Sequence, residues 1–357
     1  MGVGKNGLII GLAAILLIAI AYVGLYPTGN FAFGTDDSVK IGILTDLSVS
    51  AASWGEATIA GAQVAKDELA LEGINLSLFI EDHKMNAKEA VSATQKFVEI
   101  DAVDAVYSEF TPATIAANSV LKDKNILHLY ISAPVSILSE NYNIKSFTDY
   151  QLNCKRLAQY FKEKGIKNMG VLTATQEFGE LCLSGVLEIY SDAHVEKYTG
   201  LGVEKDLRLQ VTKLRQNNVE AIINPGIEPD LLNMLKVVQE FGWQIKVGGS
   251  SEGLSKNVVN QYNDLLKGSV YFSYVDLPSE FKQKIVSKLG REPATFDSSA
   301  FAYLHIKQIA KAVSICPKND YLCVKENILS QTGDGFFGFK GYFGSIAEFE
   351  INLTEIN

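Results

Sequence analysis

The sequence predicts an α/β protein of two doubly wound parallel-sheet lobes joined by three crossovers, behind an N-terminal transmembrane helix. Three observations predict it. From residue 40 onward, short β-branched apolar runs alternate with segments of helical period. The chain has 357 residues, enough for roughly two domains of ordinary size. Residues 7–25, GLIIGLAAILLIAIAYVGL, are apolar and uncharged, long enough for about one membrane crossing.

The N-terminal run comes first in the chain. Lys5 precedes it and Asp36 and Asp37 follow it, which fits an N-in, C-out orientation. A cleaved signal has a shorter apolar region, about 7–15 residues, and a small-residue cleavage site, so an uncleaved anchor is expected over residues 1–36. No cysteine follows that supports lipid attachment. Gly2-Val-Gly4-Lys-Asn-Gly7 matches the dinucleotide fingerprint but has no strand before it, so it is set aside.

Strands are expected at 40–44, 76–80, 105–107, 126–130, 169–172, 221–224, 245–247 and 269–272. Helices are expected at 57–71, 87–100, 113–122, 152–164, 179–190, 207–215, 231–241, 279–289 and 298–313. The first strand runs into LSVSAASWGEATIAGAQVAKDELA, a loop of small hydroxylic residues that meets Trp54 and Gly55 at a helix start. Such a turn offers hydroxyls and amides to an anion. An ordinary N-cap at Ser53, with Trp54 packed on the core edge, is the plainer alternative. Polar 142–150, then 274–278, then the glycines of 333–344 mark three crossings between lobes. Residues 37–150 with 276–334 would form the first lobe, and 151–275 with 335–357 the second. That arrangement leaves a hinged cleft for a ligand.

Net charge is −9 with no basic run, which argues against a nucleic-acid partner, because phosphate binding needs clustered cations. The four cysteines, Cys154, Cys182, Cys316 and Cys323, are an even count, as expected for disulfides outside the cytoplasm. CPKNDYLC favours a turn, so Cys316 and Cys323 would close a small loop. Cys154–Cys182 would be the second bridge, unless those two are separate buried thiols. The spacing is not that of a zinc site, and no metal or cofactor is expected. Gly249-Ser-Ser251-Glu-Gly253 matches the nucleophile elbow G-x-S-x-G after a strand, with Asp264 or Asp276 and then His305 in hydrolase order. His305 falls inside an amphipathic helix rather than on a loop, so a serine hydrolase using Ser251 is kept only as an alternative.

Four segments taken in order carry a resemblance. They are KIGILTDLSVSAASWGEATIAGAQVAKDELA, FIEDHKMNAKEAVSATQKFVEIDAVDAVYSEFTPAT, ATQEFGELCLSGV and FDSSAFAYLHIKQIAKAV. Together they resemble the leucine/isoleucine/valine-binding type of ABC-transporter substrate-binding protein, a type I periplasmic-binding protein, from about residue 40 to the C-terminus. The resemblance implies two lobes that close over a small ligand, an amino acid or related compound, with no catalysis. It implies delivery to an ABC permease in the membrane, from outside the cytoplasm; a sensing ectodomain without transport is the alternative. It also implies site residues. Trp54 would stand near the cleft, and Thr111, at a helix N-terminus, would grip a carboxylate. Ser132 and Ala133 match the next gripping turn, where Pro134 replaces the family's usual Thr. From the second lobe, Phe178 would cover the ligand and Glu252 would pair with its ammonium. Ile227-Glu228 falls where the family has another aromatic, so a different small polar ligand stays open.

Overall fold

The computed structural model of the protein describes residues 38–138 and 142–357. The expected anchor over residues 7–25 lies outside the described residues. Among the described residues no helix is long and apolar enough to cross a membrane.

The first lobe begins with β1 (Val39–Thr45), α1 (Ala52–Leu71), β2 (Leu76–Asp82), α2 (Ala87–Lys96), β3 (Ala105–Glu109), α3 (Thr111–Leu121), β4 (Leu127–Ile131) and β5 (Asn143–Lys145). The strands β1, β3 and β4 are near-continuous apolar runs, as they must be with helices on both faces. The chain then enters the second lobe with α4 (Tyr150–Glu163), β6 (Met169–Ala174), α5 (Glu177–Leu187), β7 (His194–Tyr198) and α6 (Arg208–Gln216). There follow β8 (Ala221–Ile223), α7 (Glu228–Glu240), β9 (Lys246–Ser250), α8 (Lys256–Gln261), α9 (Asn263–Leu266) and β10 (Val270–Tyr274). It returns through α10 (Ser279–Leu289), α11 (Phe296–Ile315), α12 (Tyr321–Leu329), β11 (Phe339–Phe343) and β12 (Ile346–Phe349), and ends with β13 (Ile351–Glu355).

The described strands form two sheets, in the orders β11-β12-β5-β4-β3-β1-β2 and β13-β10-β9-β8-β6-β7. The pairs among β1–β5 and among β6–β10 are parallel. Three differences from the sequence expectation have physical causes. First, β5 and β7 carry polar residues, Asn143, Lys145, His194, Glu196 and Lys197, which mask their strand character. Second, α1 begins at Ala52, so Trp54-Gly55 lies in its first turn and Ser53 is inside the helix; the N-cap is Ala51, with no side-chain cap. Third, β11 and β12 belong to the first sheet, through β12 pairing with β5. The glycines assigned to a crossing serve this hairpin instead. Gly344 sits at its turn with φ +58°, and Gly341 sits at its bulge. The third crossing therefore falls at Glu350, since Ile351 already pairs with Tyr274 of the second sheet. Residues 335–349, expected in the second lobe, belong to the first.

Each crossing contributes one aromatic ring to a shared cluster. Phe147, Tyr274 and Phe349 stand 6.2, 5.1 and 5.4 Å from the ring of Phe301 on α11. The cysteines pair as Cys154–Cys182, which ties α4 to α5, and Cys316–Cys323, which closes the link from α11 into α12.

Candidate functional site

The carboxyl ends of the strands face the space between the lobes, where open α/β sheets place ligands. At the end of β1, the buried Asp46 carboxylate accepts hydrogen bonds from the backbone N–H groups of Ser48 (3.3 Å), Val49 (3.1 Å) and Ala51 (2.7 Å). The Ser-rich loop is thus folded onto its own aspartate, and these amides are not offered to a ligand. Gly55 lets α1 seat against that strand end, because a Cβ there would lie 1.9 Å from the Asp46 carbonyl oxygen. This fixes Trp54 at the pocket wall, with its ring 6.1 Å from Phe110.

Phe110, between β3 and α3, has φ 65° and ψ 130°, a backbone conformation that non-glycine residues rarely adopt. Thr111 follows as the first residue of α3, with Pro112 next to it and no side-chain cap. After β4, Ser132 Oγ donates to Thr114 Oγ1 (3.0 Å), which also bonds Ser108 (3.0 Å). The Tyr130 hydroxyl donates to the Pro134 carbonyl (2.7 Å) and holds the Ser132-Ala133-Pro134 turn. In the second lobe, Gly179 seats α5 as Gly55 seats α1, its notional Cβ lying 2.1 Å from the Ala174 carbonyl oxygen. The neighbouring Phe178 packs on Tyr150 at 5.8 Å. Tyr150 in turn donates its hydroxyl to Glu252 Oε2 (3.0 Å).

All six residues expected at the site, Trp54, Thr111, Ser132, Ala133, Phe178 and Glu252, line one pocket. Sequence reasoning missed several of its walls, among them Glu109, Phe110, Tyr150 and Phe301. Glu109 had a legible signal: it is an acid at the carboxyl end of a buried strand.

Glu109 is buried, and its oxygens accept hydrogen bonds from Thr45 Oγ1 (2.6 Å), Thr58 Oγ1 (2.8 and 2.9 Å) and Tyr107 Oη (3.1 Å). Burial pushes its carboxyl up to about 7, against the pull of those hydroxyls. Glu252 is pushed up to about 8, first by burial and then by the charges of Asp297 and Glu109. Asp297 is itself pushed up to about 6 by burial. Among the described residues no Lys, Arg or His lines the pocket. The site therefore holds carboxyl groups from both lobes that want a positive charge and have none.

The hydrolase alternative is overturned. Ser251 Oγ donates to Asp297 Oδ2 (3.0 Å). His305, far along α11, bonds Ser146 and Gln308 in the buried interior of the first lobe. Asp264 and Asp276 pair on the surface with Lys267 and Lys282. Ser251 has no imidazole partner among the described residues, so the G-x-S-x-G match is a pocket turn and not a catalytic elbow.

Comparison with known proteins agrees with the fold. The model of the periplasmic binding protein family matches residues 38–348, and the chain belongs to that family. A Leu/Ile/Val-binding protein of Citrobacter freundii is 23% identical over 233 residues, which is 62% of this chain and 62% of that protein. Among solved structures, the branched-chain amino acid transporter substrate-binding protein LivJ of Streptococcus pneumoniae, in complex with isoleucine, superposes with TM-score 0.75 at 20% identity, over 90% of this chain and 96% of that one. An ABC-transporter solute-binding protein of Rhodopseudomonas palustris, in complex with 3,4-dihydroxybenzoic acid, superposes with TM-score 0.78 at 18% identity, over 90% and 93%. At such identities the superpositions establish the fold and leave the ligand to the pocket's own chemistry.

Proposed function

We propose that the chain is an extracytoplasmic solute-binding protein. It captures a small ammonium-bearing solute, an amino acid or a related compound, between its lobes and delivers it to an ABC importer. The apolar run at residues 7–25 holds it at the membrane. The observation that carries this reading is Glu252, buried in the interlobe pocket with no cation beside it. Trp54 and Phe178 close over the ligand from opposite lobes, and Thr111, Ser132 and Ala133 line its first-lobe side. The relatives support the reading: those named above bind leucine, isoleucine or valine, or an aromatic acid, and the solved ones serve transporters.

The test is thermal unfolding of the full-length chain against a broad panel of amino acids, amines and small organic acids. A true ligand at ~100 times its Kd should stabilise the chain by about 2.7 kcal/mol. Glu252→Gln should abolish the shift for any ammonium-bearing ligand. Absence of a shift across the whole panel would refute solute capture.

A further inference from the structure

We propose that the pocket selects an organic cation lacking a carboxylate, with its ammonium seated between Glu109 of the first lobe and Glu252 of the second, and its apolar body among Trp54, Phe110 and Phe178. This rests on the reading of the pocket as a site for an ammonium-bearing solute, and it narrows that solute from amino acids to the related amines that lack the carboxylate.

The first support is the charge on the walls. Glu109 and Glu252 come from opposite lobes and line the same pocket, and the charge of Glu109 helps to hold the Glu252 carboxyl up. Every group that bonds Glu109 is a hydroxyl, which orients the carboxylate without neutralising it. Glu252 accepts one hydrogen bond, at Oε2 from Tyr150; among the described residues its Oε1 accepts none. An unpaired carboxylate oxygen of a largely buried residue at a pocket wall is a receptor for a donor.

The second support is that several of the means of holding a ligand carboxylate are already used or missing. Ser132 gives its proton to Thr114, and the amides of the Ser-rich loop bind Asp46. Pro112 and Pro134 have no N–H to give, and the Thr114 amide is bonded to the Phe110 carbonyl. What remains on the first-lobe wall is Thr111 with the first amides of α3, two residues from Glu109, together with the Ala133 amide and the Ser298 hydroxyl. A carboxylate seated there would face Glu109 across the strand end. Zwitterions and acids are therefore opposed where a bare ammonium is attracted. The aromatic walls add to this preference, because ring faces attract cations.

The arrangement also ties ligand charge to closure. One ammonium can neutralise both carboxyls only when the two lobes come together around it. An acid with no positive centre supplies no such bridge.

The experiment compares matched pairs by titration calorimetry on the full-length chain: phenethylamine against phenylalanine, isoamylamine against leucine, with 3,4-dihydroxybenzoate as the acid. Each amine should bind at least ~10-fold tighter than its amino acid. Amine affinity should rise by about tenfold or more from about pH 6 to about pH 9, as Glu109 and Glu252 lose their protons while the ammonium keeps its own. The groups facing them are Thr45, Thr58, Tyr107, Tyr150, Tyr274 and Asp297; of these Asp297, near 6, titrates at the bottom of that range. Glu109→Gln should weaken the amine by about tenfold or more, with the fold checked by thermal unfolding of the unliganded variant. If that variant does not fold, the matched pairs and the pH series on the unsubstituted chain decide the matter. An amino acid or the acid binding as tightly as the amine, or an amine affinity that is flat with pH, overturns the cation proposal and leaves solute capture standing. No binding by any probe in the broad panel overturns both.

Discussion

In each lobe the helix that follows the first strand carries, in its first turn, an aromatic residue followed by glycine: Trp54-Gly55 in α1 after β1 and Phe178-Gly179 in α5 after β6. In both, the glycine allows the helix to touch the carbonyl at the preceding strand end, and the aromatic becomes a pocket wall. The backbone solution is repeated, but its fastenings are not. In the first lobe the approach loop is gathered by a buried aspartate through three amides. In the second, Thr173 Oγ1 donates to the Gly179 carbonyl (2.9 Å), and α5 is bound to α4 by the Cys154–Cys182 disulfide. The charges differ too: Glu109 has three hydroxyl donors and Glu252 has one. Packing can be duplicated between lobes while polar chemistry diverges, because packing depends on shape alone and hydrogen bonding on each neighbour's identity.

The strongest way to break the comparison is to give each glycine a methyl group. Gly55→Ala and Gly179→Ala should each cost about 3 kcal/mol, because the added carbon meets backbone rather than a side chain that can swing aside. Urea denaturation of the two variants measures it. A large loss in one and none in the other would mean that the two helix starts are only superficially alike.

A pH series separates the two carboxyls. Both are held above their unfolded-state values, so the folded chain keeps protons the unfolded chain has released. That stabilisation is complete below about pH 4.5 and is lost as pH rises through about 7 for Glu109 and about 8 for Glu252. The buried imidazoles of His83, His128 and His305 are held below their usual value, so they affect stability only below about pH 6.5. From about pH 6.5 to 8.5 the unliganded chain should therefore lose about 2–3 kcal/mol. Glu252→Gln should remove the larger share of that slope and Glu109→Gln the smaller. Equal effects would mean that the two sites feel burial alike.

The smallest effect concerns the first lobe's fastening. Asp46→Ala strands three amides and should cost about 2 kcal/mol, with no counterpart in the second lobe. Hydrogen exchange at Ser48, Val49 and Ala51 would show whether the loss is local to the loop.

What the sequence disclosed divides along similar lines. Buried parallel strands announce themselves as apolar runs, so β1, β3, β4 and β6 were legible. The edge strand β7 and the short β5 are half polar, and β11 and β12 hide among glycines whose role depends on which sheet they meet. The resemblance in sequence pointed to six pocket residues because they sit in turns that follow readable strands. Tyr150 and Phe301 face the pocket from helices, and only the packed fold decides which helix face looks inward. The commitment of Ser132 to Thr114 could not be read at all, since it joins two segments that become neighbours only when β3 and β4 align.

Phe301 stands at a mechanical junction. Its ring is part of the pocket wall and also touches Phe147, Tyr274 and Phe349, one from each strand of chain that links the lobes. The rings behave as a clamped bearing: a solute that pushes on Phe301 loads all three links at once, and a change in the angle between the lobes must slide those rings past it. A fluorine label on this one side chain would therefore register occupancy and lobe rotation in a single signal.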